Sequence, residues 1–418
     1  MSLDVLAISL MQPWPVRSVD SPLMTSQSHS AERGTGSRSV RYLTIFSVAI
    51  VAISAISWLG FGVITNSIKR VDAFAGLDDR PEKPTSAVNY LIVGSDSREG
   101  LSREEQRRLR TGSTKVAAGK RSDTILLVHI SKNRDRASII SIPRDSYALI
   151  PSWTDSSGNV RSQTHSKINS AFAWGDAPLL IKTFESMSNV RIDHYIEVDF
   201  TGFVRIVDAL GGVEICTPRA ISDSKSHLNL DAGRHVLDGI DSLKYVRARS
   251  FDGTADLGRM KRQQQFIATI LREVTSAGVL LNPLKMTKLL NSAFDSVITD
   301  EGLDRNDLLT LGKQLRNLSA KNVTTLTIPL KYYNYNKNGV SAAVLWDPEL
   351  SADLFQRIRE DRPLVDEVTP SPSPSQSSDS NGGAGESSTE TKPETLYIDK
   401  FGTQKASTNP CKGFQEGK

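Results

Sequence analysis

Cysteine is nearly absent from this chain: Cys216 and Cys411 are the two it has in 418 residues. They stand far apart, and neither has the close companion that a thiolate metal site needs. Among the histidines of the body, His129, His165, His194, His227 and His235 fall at no spacing that would hold zinc. No Gly-x-Ser-x-Gly elbow occurs, so the sequence offers no hydrolase-type serine nucleophile. Excess charge is lacking too. Lys+Arg 51 against Asp+Glu 47 leaves +4, which is too little to argue for nucleic acid, and the N-terminal segment shows no helix-turn-helix or basic reading helix. There is no internal repeat.

A local absence is more telling. Residues 42–68 carry no charged side chain, and 43–65 is strongly apolar. That length crosses a bilayer as one helix, with Trp58 and Phe61 suited to the outer interface. The run begins too far into the chain, and is too long, for a cleaved signal peptide. Arg33, Arg38 and Arg41 precede it against Glu32 alone, which places the N-terminus in the cytoplasm and the large domain outside. Lys69, Arg70 and Arg80 follow it and weaken the contrast. In an exported domain Cys216 and Cys411 could close a disulfide, the alternative being two free thiols. In the chain-entropy model a loop of roughly 190 residues contributes up to about 5 kcal/mol.

The rest divides by composition. Residues 1–41 are a Ser- and Arg-rich tail expected to be disordered, and 69–86 form a polar connector with Pro81 and Pro84. Residues 87–361 carry the periodic patterns of a folded domain, and 362–418 turn to Pro, Ser, Thr, Glu and Gly, a composition that cannot bury a core, although Leu396-Tyr397-Ile398 and Cys411 could dock at the tail's far end. Within the domain, short apolar runs predict strands at 89–93, 124–130, 137–142 (halted by Pro143), 195–198, 213–216 and 323–328. Helical patterns fall at 177–187 behind Asp176, at 200–210 behind Asp199, from 241, from 257, near Pro283, near Asp304 and over 347–359. Strands alternating with helices predict an α/β fold, three-layer α/β/α around a central mixed sheet, with the membrane helix in front.

Two sets of residues carry chemistry. The first is basic: Arg247, Arg249, Arg259 and Arg262 recur within about four helical turns of one another, with Gln263 beside Arg259 at i,i+4. Guanidiniums held together repel unless an anion sits among them, and their planar fork matches phosphate oxygens two at a time. The stretch reads as a phosphate or diphosphate pocket, or as a solvated basic helix face. The second set lies at strand edges, where α/β folds place their sites. Gly94-Ser95-Asp96-Ser97-Arg98 follows the first strand, Arg121-Ser122-Asp123-Thr124 opens the second, and Pro143-Arg144-Asp145 ends the third. Lys167-Ile168-Asn169 adds a cation and an amide before a helix. Paired acids beside arginines suit a hard cation bridged to phosphate oxygens.

Taken with Gly211-Gly212-Val213 and the run Tyr245 to Gln265, these motifs resemble the LytR–CpsA–Psr family in order and spacing. The resemblance covers about 89–271 closely and continues loosely to 359. It implies a single-span membrane protein whose exported domain moves a glycopolymer from a polyprenyl-pyrophosphate carrier to a cell-wall acceptor, either peptidoglycan or a glycoprotein. It also implies Mg²⁺, with Mn²⁺ able to substitute, on Asp96 and Asp123. Arg98, Arg121, Arg144, Arg247, Arg249, Arg259 and Gln263 correspond to diphosphate and lipid head-group contacts, Lys167 and Asn169 to pocket positions, and Asp256 to an acid of open role. Asp96, Asp123, Arg98 and Arg144 are the catalytic candidates. Helices 200–210 and 257–274 are the candidate walls of a lipid cavity. A long basic insertion at 99–120 departs from the family pattern. The alternatives are a non-catalytic envelope protein that binds acidic polymer or relays a signal, and a hydrolase with water as the acceptor.

Overall fold

The computed structural model describes residues 69–96, 104, 106–107, 122–249, 255–276, 297–314, 318–368 and 396–408. The expected membrane span at 42–68, the tail at 1–41, most of the insertion at 99–120 and the helix near Pro283 lie outside the described residues. Among the described residues no helix is long and apolar enough to cross a membrane.

In chain order the elements are β1 (Lys69–Val71), β2 (Val88–Ser95), β3 (Ser122–Ile130), β4 (Ala137–Ile142), β5 (Tyr147–Ile150) and β6 (Thr164–Lys167). Then come α1 (Ile168–Ser188), β7 (His194–Val198), α2 (Phe200–Leu210), β8 (Val213–Thr217), β9 (Gly233–Leu237), α3 (Gly239–Arg247) and α4 (Ala255–Ser276). The body closes with β10 (Val297–Asp300), α5 (Arg305–Gln314), β11 (Val323–Thr327), β12 (Leu330–Lys337), β13 (Val340–Trp346) and α6 (Pro348–Arg359), and β14 (Gln404–Lys405) returns to it. Eight strands form one mixed sheet in the order β1-β10-β7-β2-β3-β4-β11-β14. β2, β3 and β4 run antiparallel, whereas β7 joins β2 and β11 joins β4 in parallel.

The central strands are apolar on both faces because both faces are covered. Leu91, Val93, Ile125 and Leu127 pack with Phe172, Leu180 and Phe184 of α1 and Leu354 and Phe355 of α6. Their neighbours in sequence, Tyr90, Ile92, Leu126 and Val128, face Ile267 of α4 and Leu308 and Leu311 of α5. That alternation fixes the strand register, since a slip of one residue would exchange the two sets. A third cluster joins α2, α3 and α4 through Val207, Leu243, Tyr245 and Phe266, on the β8–β9 hairpin.

One local detail differs from expectation. The helix predicted from 177 behind Asp176 begins earlier, at Ile168. Asp176 is not its cap but a break, at φ 50°, where the helix kinks beside Gly175 before Pro178 restarts it. The end of the tail also contributes to the fold: Leu396–Ile398 pairs with Asp366–Val368, and β14 pairs with β11 at the edge of the sheet.

Candidate active site

Three chain reversals bring the acid–base motifs to one end of the sheet. β2 and β3 are antiparallel with Ser95 opposite Ser122, so the chain delivers Asp96 and Asp123 next to this pair. β4 runs back beside β3 with Ile142 opposite Ile125. Pro143 then ends β4, and Arg144 turns its guanidinium onto the Asp123 carboxylate. Asp145 is bridged to Arg144 and lies 3.2 Å from the Lys167 ammonium. The Asn169 N–H donates to the Arg144 carbonyl at 3.1 Å. Lys167 and Asn169 thus stand against Arg144 and Asp145 and support that turn.

The basic stretch is not one helix. α3 ends at Arg247, Ala248 is extended, and α4 begins at Ala255, so the spacing in helical turns read from the sequence does not hold across the break. α4 instead grips the last turn of α3 and the residue that follows it. Arg262 donates to the Ala248 carbonyl, and Gln263 Nε2 donates to the Val246 carbonyl at 3.2 Å. Arg262 is therefore a tether, and its burial reflects that. The Arg249 N–H donates to Asp223 at 2.7 Å, and the Arg247 guanidinium lies 4.9 Å from the Phe200 ring centroid. α2 is held by Asp199, whose carboxylate caps it through the Gly202 N–H at 2.7 Å. Arg98, Arg121, the side chain of Asp256 and Cys411 lie outside the described residues. Cys216 of β8 is disulfide-bonded.

These elements enclose two adjoining hollows. One, of about 450 Å³, lies between α2, α3, α4 and the sheet. Phe200, Phe203, Ile206, Val246, Phe266 and Ile270 make it apolar, and Lys225, Arg247 and Arg249 add cations to its lining. The second, of about 160 Å³, is lined by Ser141, Arg144, Asp145 and Tyr333. Asp123, Arg259 and Gln263 line both. Arg259 is only 4% exposed, and a cation this far from water attracts an anion far more strongly than a surface arginine does. The junction can hold a charged group attached to an apolar tail.

The residues around Asp96 and Asp123 fit a hard cation. The hydroxyls of Ser95 and Ser122 are buried and find no hydrogen-bond partner among the described residues, which leaves oxygen donors beside two carboxylates. Among the described residues no three acidic, histidine or cysteine side chains gather. A cation here would therefore rest on two carboxylates, with phosphate oxygens and water completing its shell, as Mg²⁺ prefers.

Part of the wall of the second hollow is the β12–β13 hairpin, for which the strand and helix patterns of the sequence predict no element. A signal was present: Asn338-Gly339, at φ 52° and 76°, is the two-residue turn that closes hairpins.

Comparison with known proteins identifies the family and the fold. A profile of the LytR_cpsA_psr family matches residues 64–355. The probable cell wall biosynthesis protein LcpB of Corynebacterium glutamicum is 35% identical over 276 residues, which are 66% of this chain and 62% of LcpB. This chain therefore spans less than two thirds of that relative. The polyisoprenyl-teichoic acid–peptidoglycan teichoic acid transferase TagU of Oceanobacillus iheyensis is 32% identical over 275 residues, 64% of this chain and 74% of TagU. A LytR-Csp2A-Psr enzyme from Actinomyces oris superposes with a TM-score of 0.52 at 25% identity, covering 70% of this chain and 95% of that one. The mixed α/β sheet is thus shared with solved structures of the family.

Proposed function

This chain belongs to the LytR_cpsA_psr family, and on that premise we propose that it transfers a glycopolymer from a polyprenyl-pyrophosphate carrier to a cell-wall acceptor. One observation carries the reading: Asp123, Arg259 and Gln263 are shared walls of an apolar cavity and a polar pocket. An amphiphile with a phosphate head is the ligand that such a junction fits. In this reading the prenyl chain lies between α2 and α4, and the diphosphate sits among Arg144, Arg249 and Arg259. Arg98, Arg121 and Arg247 are assigned further head-group contacts by family correspondence.

The reaction breaks the bond between the sugar-bearing phosphorus and the bridging oxygen, and polyprenyl phosphate leaves. An acceptor hydroxyl, on peptidoglycan as the name of TagU states, forms the new bond to phosphorus and gives up its proton. Asp96 or Asp123 orients that hydroxyl and takes the proton. Arg144, buttressed by Asp123 and Asp145, is preorganised toward charge on the phosphoryl oxygens. Mg²⁺ held by Asp96 and Asp123 would supply further charge neutralisation. Since phosphoryl transfer asks for positioning and charge stabilisation, no covalent nucleophile is required.

The same reading anchors the chain by one helix at 42–68, with the N-terminus cytoplasmic, the large domain outside, and Cys216 paired with Cys411. The test is transfer by the full chain in detergent, from a prenyl-diphosphate-linked oligosaccharide to peptidoglycan. Asp123→Asn should lose about 100-fold or more in turnover while its circular dichroism stays native. Full activity in that variant would remove the assignment, and release of free oligosaccharide phosphate without transfer would make the protein a hydrolase.

A further inference from the structure

We propose that Tyr333, on the β12–β13 hairpin, is the contact for the acceptor's sugar ring; this rests on the donor reading above. In-line displacement requires the attacking and leaving oxygens on opposite sides of the phosphorus. With polyprenyl phosphate leaving toward the apolar cavity, the acceptor hydroxyl must arrive through the hollow on the far side of Asp123, Arg259 and Gln263. Tyr333 lines that hollow together with Arg144 and Asp145. It is also 54% exposed, so it faces solvent at the mouth while touching the pocket. An exposed phenol ring beside a phosphate site offers a flat apolar face, with a hydroxyl at its edge, to the C–H face of a pyranose.

The hairpin is built to hold this ring in place. Register shifts occur on both sides of Tyr335, and bulges of this kind re-aim side chains beside active sites. Ala342, also in the pocket wall, sits at φ 51°, a strained backbone for a residue with a Cβ. Its N–H donates to Asn336 Oδ1 at 2.9 Å. The neighbouring rings brace the ribbon. Tyr335 meets Tyr147 edge-on at 5.1 Å. Tyr147 in turn stacks on His165. The Val344 N–H donates to the Asp145 carbonyl at 2.8 Å, tying the hairpin to the catalytic turn. Tyr332 is exposed to a similar degree, 52%, but does not line the pocket, which makes it the matched control.

The experiment measures binding of chitotetraose, a β-linked N-acetylhexosamine chain, to the full chain in detergent micelles with farnesyl diphosphate present. Farnesyl diphosphate affinity is measured separately in every variant. Tyr333→Ala should weaken chitotetraose about 10-fold, Tyr333→Phe should restore most of the loss, and Tyr332→Ala should match the wild type. Farnesyl diphosphate affinity should be the same throughout. Chitotetraose binding that is absent in the wild type, or unmoved by Tyr333→Ala, overturns the proposal. So does a loss of farnesyl diphosphate in Tyr333→Ala, which would move the tyrosine to the donor side. A wild type that fails to bind farnesyl diphosphate removes the donor reading itself, and this inference with it.

Discussion

Arg259 is the side chain on which most of the proposed chemistry converges, because this buried residue lines both hollows. Arg259→Ala should cost roughly 2 kcal/mol in affinity for farnesyl diphosphate, about 30-fold, measured by titration of the full chain. Arg259→Lys should recover little, since an ammonium cannot make the paired contact of a guanidinium. A lysine variant that binds like the wild type would contradict that geometry. The sequence made Arg259 and Gln263 legible as neighbours, since i,i+4 spacing is local to one helix. It could not separate Arg262 from them. Whether an arginine faces a ligand or a backbone carbonyl depends on where the preceding helix ends, and α3 ends just upstream at Arg247.

Elements were most legible where the period is strong and the ends are punctuated. β4, stopped by Pro143, and α2, between the Asp199 cap and Gly211 at φ 89°, match their expected bounds. The β12–β13 hairpin was not, since its shifted register and run of tyrosines and asparagines break the simple alternation. The contact of α3 with α2 depends on Gly239: a Cβ there would lie 2.4 Å from the Val204 carbonyl oxygen. Gly239→Ala should therefore push α3 off the cavity wall and cost about 1–3 kcal/mol, read from chemical denaturation alongside a weaker farnesyl diphosphate titration. An unchanged midpoint and affinity would mean that the two helices are not held at that distance.

Stability is also concentrated away from the site. Asp361, 6% exposed, accepts from Arg136 at 2.8 Å and from the Lys132 N–H at 3.1 Å, and it meets His129 Nε2 at 3.2 Å. Burial raises its pKa, but the His129 and Lys132 hydrogen bonds and the Arg136 charge outweigh it and hold the carboxyl below the usual aspartate range. A depressed pKa contributes stability that is present above the unfolded value, near pH 4, and lost as pH falls through the folded one. The unfolding midpoint should thus drop on acidification below about pH 4. Asp361→Asn should lower stability at neutral pH by roughly 3 kcal/mol and flatten that acid limb. Equal acid sensitivity in both proteins would place the titrating group elsewhere.

For the chain as a whole, the layered α/β architecture follows from patterns that composition and periodicity expose, whereas the two hollows exist only once α2, α3 and α4 close on the sheet. Residue types could name the arginines and aspartates, but no pattern of residue types shows that an apolar cavity ends at them. Cys216→Ser should destabilise the protein by up to about 5 kcal/mol if the bond closes the long loop to Cys411, seen as a lower midpoint that reductant reproduces in the wild type. The central claim is that this cavity holds a prenyl chain whose diphosphate rests on Arg144, Arg249 and Arg259. The most direct measurement is mass spectrometry of lipid extracted from the full chain after purification from bacterial membranes, with Arg259→Ala purified in parallel. Stoichiometric polyprenyl phosphate or diphosphate in the wild type, and its loss in the variant, is the predicted result. A protein that carries no prenyl lipid and takes up none when it is supplied would contradict the claim.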